Sequence, residues 1–286
     1  MRWVTVQTDR GSRACGVAVD RCVDINAADP GLPSDLKTLL KLGRGGLEAA
    51  SAAVRTGTVG FDLDTARLLP PITAPGKIIC LGLNYRDHAI ESGATPPEEP
   101  VLFSKFASAL NGHKGVIVLP AVSQQVDYEA ELVVVIGHRG KDIPKERALE
   151  YVGGYMCGND VSARDWQLGK PGKQWLAGKT FDTFAPVGPF LVDASEVPDP
   201  HSLPISLRLN GQTMQESNTS QLIFKIDETI AYISKIVTLE PGDLIFTGTP
   251  SGVGMARKPP VFLKPGDTTE VEIGGLGILR NSVIAG

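Results

Sequence analysis

A β-rich α+β fold is what the sequence predicts, on three observations. Short apolar, β-branched runs recur along the chain, and Gly, Pro, Asn or Asp bounds each of them. Glycine (32) and proline (21) are plentiful among the 286 residues, as tight turns between short strands require. Helical periodicity is confined to two places, one near Leu36 and one from Asp227 to Val237.

The elements follow in order. Trp3-Val4-Thr5-Val6 and Gly16-Val17-Ala18-Val19 alternate like short strands. One helix-like segment comes next: Ser34 or Asp35 can cap it, Leu36, Leu39 and Leu40 form its apolar face, and Gly43 can stop it. Residues 1–70 thus read as a small N-terminal α+β domain. Leu69 to Gly76 is rich in proline, which resists both helix and central strand, and marks a boundary. The larger domain spans 75–286. Its strand-like runs are Lys77 to Leu83, Gly115 to Leu119, Leu132 to Ile136, Gly188 to Val192, Ser206 to Leu209, Leu244 to Thr247 and Thr269 to Ile273. Asn210-Gly211 signals a hairpin. Ile230, Ile233, Ile236 and Val237 fall at helical spacing.

The net charge of −4 and pI near 5.6 leave no electrostatic footprint for nucleic acid or an anionic membrane. Neither partner is expected. Met1 to Val17 carries Arg2, Asp9, Arg10 and Arg13 without a continuous apolar run, and no window is long enough to span a bilayer, so a soluble cytoplasmic protein is expected. Cys15, Cys22, Cys80 and Cys157 are scattered, with no C-x-x-C pair, and read as reduced core thiols.

The chemistry concentrates in Asp127-Tyr128-Glu129-Ala130-Glu131-Leu132-Val133-Val134-Val135-Ile136. On a strand, residues i and i+2 share a face, so Glu129 and Glu131 project side by side. Such a pair needs a cation or a proton. Asp160, which closes the apolar segment Tyr151 to Cys157, can bring a third carboxylate there. Three hard oxygen ligands without Cys or His favour Mg²⁺, Mn²⁺ or Ca²⁺ over Zn²⁺. The competing reading puts both glutamates on the solvated face of an edge strand. His88 and Glu91, three apart just past a strand, face each other if the loop closes as one helical turn, as a general base for water requires. Gly178-Lys179-Thr180 does not complete a phosphate loop, because Lys173 stands where that pattern needs glycine. Thr247-Gly248-Thr249-Pro250-Ser251-Gly252-Val253-Gly254 offers backbone N–H groups that can cradle a carboxylate.

In their order, Asn84 to His88, Asp127 to Leu132, Asn159 to Asp165, Gly178 to Asp182 and Thr247 to Gly254 resemble the fumarylacetoacetate hydrolase family, in its short-chain branch. The resemblance covers roughly 75–286 and implies a mixed β-sandwich roll as the catalytic domain, assembled as a homodimer. It implies Glu129, Glu131 and Asp160 as ligands to one Mg²⁺ or Mn²⁺ per subunit. It further implies His88 and Glu91 as the water-activating pair on a lid, and Lys179 as the lysine facing the substrate oxygens. Arg164, Gln167 and Thr249 match substrate-side residues, with Tyr85 and Lys105 near the cleft. A further aspartate ligand of the fumarylacetoacetate-cleaving enzyme has no clear equivalent, so a water is expected in its place.

The family chemistry implied is hydrolysis of a C–C bond in a β-diketo acid, an acylpyruvate or fumarylpyruvate, through a metal-bound enolate. The alternatives on the same site are tautomerisation or decarboxylation of oxaloacetate and isomerisation of a hydroxymuconate-type dienoate. His88-x-x-Glu91 favours hydrolysis, whereas Trp166 to Trp175 and Lys258 to Phe262 resemble members for which tautomerisation is proposed. A metal-dependent binding protein without chemistry would lack the base or the lysine, and both are present.

Overall fold

The computed structural model describes residues 1–91, 93 and 95–286. The chain begins with a meander of β1 (Arg2–Thr8), β2 (Gly11–Ala18) and β3 (Arg21–Asp24). After a single helical turn at Ile25–Ala28 come α1 (Leu36–Lys41) and α2 (Gly43–Thr56), and then β4 (Gly60–Asp62). Beyond the proline-rich stretch come β5 (Ile78–Gly82), α3 (Arg86–Glu91), β6 (Val101–Ser104), β7 (Val116–Leu119), β8 (Ala130–Ile136), β9 (Val152–Asn159) and β10 (Ala185–Asp193). The chain closes with β11 (Pro204–Leu209), β12 (Gln212–Asn218), α4 (Ile226–Ile236), β13 (Leu244–Phe246), β14 (Thr268–Ile273) and β15 (Gly277–Ala285).

Asp35 is the cap of α1, accepting the Thr38 N–H at 2.8 Å. The single helix expected here is in fact two. Gly43, at φ 66°, turns the chain after α1, and α2 then runs fourteen residues. Its buried contacts are the small residues Ala50, Ala53 and Val54, and glycines occupy its first turn. Packing rather than propensity therefore makes this helix, and its apolar signal is weak in the sequence.

The large sheet runs in the order β4-β3-β2-β1-β10-β9-β8-β13-β5-β6, and a second runs β12-β11-β14-β15-β7. Both are mixed: β13 and β5 are parallel, as are β15 and β7, while β8 is antiparallel to β9 and β13. Residues 1–70 join the rest through the β1–β10 ladder, with Arg2 opposite Val192 and Trp3 opposite Leu191. The hairpin at Asn210-Gly211 has both residues at positive φ (53° and 80°), the geometry a two-residue primed turn requires.

Every residue of β8 is buried. Leu132, Val134 and Ile136 pack in one core with Ile205, Leu207 and Val271 of the second sheet. Val133 and Val135 pack in another with Trp3, Leu39 and Ile78. An unbroken apolar run is what a strand covered on both faces demands, and it fixes the register that aims Glu129 and Glu131. Among the described residues no helix is long and apolar enough to cross a membrane.

Candidate active site

Four neighbouring strands of the large sheet end at one place. The parallel pair β5 and β13 arrive by their C-terminal ends, β9 by its C-terminal end and antiparallel β8 by its N-terminal end. A cavity of about 470 Å³ opens there. Its wall includes His88, Glu91, Glu129, Glu131, Arg164, Gln167, Lys179 and Thr249, with Leu81, Phe103, Trp175 and Met255 forming an apolar side.

At its floor, Glu129, Glu131 and Asp160 each offer a carboxylate oxygen, and these oxygens lie within 4.8 Å of one another. The Asp160 N–H donates to the Glu129 carbonyl at 2.9 Å, which ties the end of β9 to the start of β8. Lys179 Nζ reaches Glu129 at 2.8 Å and Asp160 at 3.0 Å. Arg164 reaches Glu129 at 2.7 Å on its other oxygen and Asp127 at 2.8 Å. Burial works against the Glu129 charge, but Lys179 and Arg164 outweigh it and hold this carboxyl at about 2. Glu131 is placed differently: among the described residues it makes no ion pair, and the Gly248 N–H donates to it at 2.7 Å. Burial and the charges of Asp160 and Glu129 push its carboxyl well above the usual range.

A cation at the triad would relieve that stress, and three carboxylates without sulfur or imidazole suit a hard divalent ion. Asp160 Oδ1 adds to the fit. It lies 2.6 Å from Lys105 Nζ yet among the described residues accepts no well-directed hydrogen bond, because that ammonium donates to the carbonyls of Val161, Lys179 and Phe184.

The rim is built by the loop after β13, which needs glycine at two positions. Gly248 has φ 98°, and a Cβ there would stand 2.8 Å from the Asn84 side chain. Gly252 has φ 99°, and a Cβ there would stand 2.1 Å from the Met214 carbonyl. Each turns its N–H inward, Gly248 to Glu131 and Gly252 to both oxygens of Glu91, at 2.9 and 3.0 Å. The turn expected around His88 is α3, and His88 Nδ1 lies 3.4 Å from Glu91. Burial opposes the Glu91 charge, while His88 and the Gly252 N–H hold its carboxyl below the usual range.

Two expected substrate-side residues lie off the cavity wall. Lys105 is buried beneath Asp160 with its ammonium spent on protein oxygens. Tyr85 is fully buried in the apolar core. The expected lid is docked at α3 by polar contacts: Asp87 accepts from Ser217 Oγ at 2.7 Å, and Arg86 donates to the carbonyls of Ser220 and Leu222. Ser92 and Ala94, further along that expected lid, lie outside the described residues.

Two organisers escaped the sequence reading. Asp127 accepts from the N–H groups of Gly254 and Met255 at 2.7 and 3.0 Å and from Arg164, joining the loop after β13 to the site. Gln215 of β12 accepts the Ala130 N–H at 2.8 Å. Asp127 stands inside the quoted motif, and only its buried position distinguishes it from a polar turn residue.

Residues 77–284 match the sequence profile of the fumarylacetoacetate (FAA) hydrolase C-terminal domain. The chain belongs to the fumarylacetoacetate hydrolase family. A mitochondrial oxaloacetate tautomerase of Xenopus laevis, fahd2, is 50% identical over 262 residues, which is 92% of this chain and 82% of that protein. Among solved structures, 5-carboxymethyl-2-hydroxymuconate delta-isomerase from Mycobacterium smegmatis superposes with TM-score 0.79 at 35% identity, over 100% of this chain and 99% of that one. Maleylpyruvate hydrolase from Sphingobium sp. SYK-6, in complex with manganese(II) and pyruvate, gives TM-score 0.83 at 32% identity over 100% of both chains. This family member therefore has the expected mixed, sheet-rich fold and is an enzyme of that superfamily. The expectation of a cytoplasmic protein is corrected, since the Xenopus relative is named mitochondrial.

Proposed function

We propose that this enzyme interconverts the enol and keto forms of a short α-keto diacid of the oxaloacetate type, with a divalent ion, Mg²⁺ or Mn²⁺, held by Glu129, Glu131 and Asp160. The observation that carries the reading is the buried Lys179 ammonium, 2.8 and 3.0 Å from two carboxylates of the triad and on the cavity wall. The choice of tautomerisation over hydrolysis is supported by the name of the 50%-identical relative.

When bound, the ion supplies Lewis-acid polarisation of the substrate's adjacent oxygens. Lys179 adds a fixed positive charge in a site walled by Phe103, where low dielectric strengthens it. Thr249 provides a hydroxyl on the cavity wall. His88 is the group placed to carry the proton between the substrate carbon and water. Glu91 can only accept, so whenever the two are bonded the proton sits on Nδ1 and the basic lone pair on Nε2.

The same pair favours a second reading, hydrolysis of an acylpyruvate, in which His88 activates water; the maleylpyruvate hydrolase neighbour supports it. An ultraviolet assay with Mg²⁺ separates them. Enol-oxaloacetate should lose absorbance faster than in buffer, while acylpyruvates and fumarylpyruvate persist. Rapid cleavage of either of the latter with no effect on enol-oxaloacetate would reverse the order.

A further inference from the structure

We infer that Gln215 is a positioning residue that fixes the hydrogen-bond polarity of Thr249, forcing its hydroxyl to donate into the cavity. The inference rests on the reading of this cavity as a keto-acid site. Gln215 is 1% exposed, and its side-chain amide has three partners. Its oxygen accepts the Ala130 N–H at 2.8 Å. Its nitrogen donates to the Pro250 carbonyl at 2.9 Å and to Thr249 Oγ1 at 2.8 Å.

Two of these partners leave no choice. A backbone N–H can only donate and a carbonyl can only accept, so the amide cannot flip without opposing like groups at both ends. Thr249 Oγ1 therefore faces an N–H and must accept. Its own proton turns elsewhere, and among the described residues no acceptor takes it, while Thr249 lines the cavity. The hydroxyl is thus kept as a donor for an oxygen of a bound anion. Ala130 lies between Glu129 and Glu131, so one amide ties the backbone of the triad to this donor.

The variant that reverses polarity is Gln215→Glu, which still accepts from Ala130 but presents an acceptor to Thr249. Oxalate, a planar dianion, serves as the probe, with Mn²⁺ affinity and thermal melting as controls for the fold. Thr249→Val should weaken oxalate about 10-fold, in the range for one hydrogen bond to a charged group, and Thr249→Ser should restore it. Gln215→Glu should show the same loss, and Gln215→Met, which frees the hydroxyl without capturing it, a smaller one. The double variant Gln215→Glu with Thr249→Val should lose no more than either alone. Additive losses, or full oxalate affinity in Gln215→Glu, would overturn the inference. Failure of the wild type to bind oxalate would count against the keto-acid reading itself. Neutron diffraction from crystals exchanged into D₂O tests Gln215 independently of any ligand. The Thr249 deuteron should point into the cavity, and a deuteron lying between Thr249 and Gln215 would refute the assignment.

Discussion

Glu131 carries the sharpest residue-scale consequence. Burial and the charges of Asp160 and Glu129 push its carboxyl well above the usual range, and a cation at the triad would offset those charges. Glu131→Gln keeps the shape of the side chain and removes the charge that burial, Asp160 and Glu129 disfavour. It should therefore leave metal-free stability within about 0.5 kcal/mol of the wild type, yet abolish the rise in melting temperature that Mn²⁺ produces in the wild type. Scanning calorimetry with and without Mn²⁺ checks both halves; a Mn²⁺-dependent rise retained in Glu131→Gln would remove Glu131 from the ligand set. At this scale much of the cluster was legible. The i, i+2 spacing of Glu129 and Glu131 on an apolar strand follows from strand geometry alone. Lys179 and Thr249 were visible only through the resemblance. Asp127 and Gln215 were not visible, because their partners Gly254 and Thr249 lie far along the chain, and only the packed fold brings them together.

The elements that position the site were legible wherever burial writes itself into the sequence. β8, buried on both faces, shows as an unbroken apolar run, and Asn210-Gly211 announces the hairpin of β11 and β12. α2 was lost because its contacts are small alanines. The docking of α3 was lost because polar contacts to a distant strand make it. Among these the bond between Asp87 and Ser217 is the most specific, since it ties the residue before His88 to β12. Ser217→Ala should lower the free energy of opening α3 by about 1.5–3 kcal/mol, as expected for a hydrogen bond to a charged acceptor. Limited proteolysis between residues 86 and 100 should then run faster, and kcat should fall while Mn²⁺ affinity holds, because the triad does not use α3. Unchanged cleavage would show that the contacts of Arg86 and Glu91 hold α3 without it.

For the whole molecule, the sheet order explains why one cavity collects so many charged groups. β5, β8, β9 and β13 are neighbours, so their ends present His88, the glutamate pair, Asp160 and Thr249 from four separated parts of the chain. Alternation and turn residues reveal strands but not their order, so this convergence was legible only as a family resemblance. The proposed activity requires that the triad and Lys179 together form a divalent-ion-dependent site for enol chemistry. Its most direct test is the rate of enol-oxaloacetate ketonisation by protein stripped with chelator, then titrated with Mn²⁺, for wild type and Lys179→Met. The stripped wild type should match buffer, the rate should return and saturate at one ion per chain, and Lys179→Met should bind the ion yet stay at least about 10²-fold slower. A full rate in the stripped protein, or an undiminished rate in Lys179→Met, would rule that requirement out.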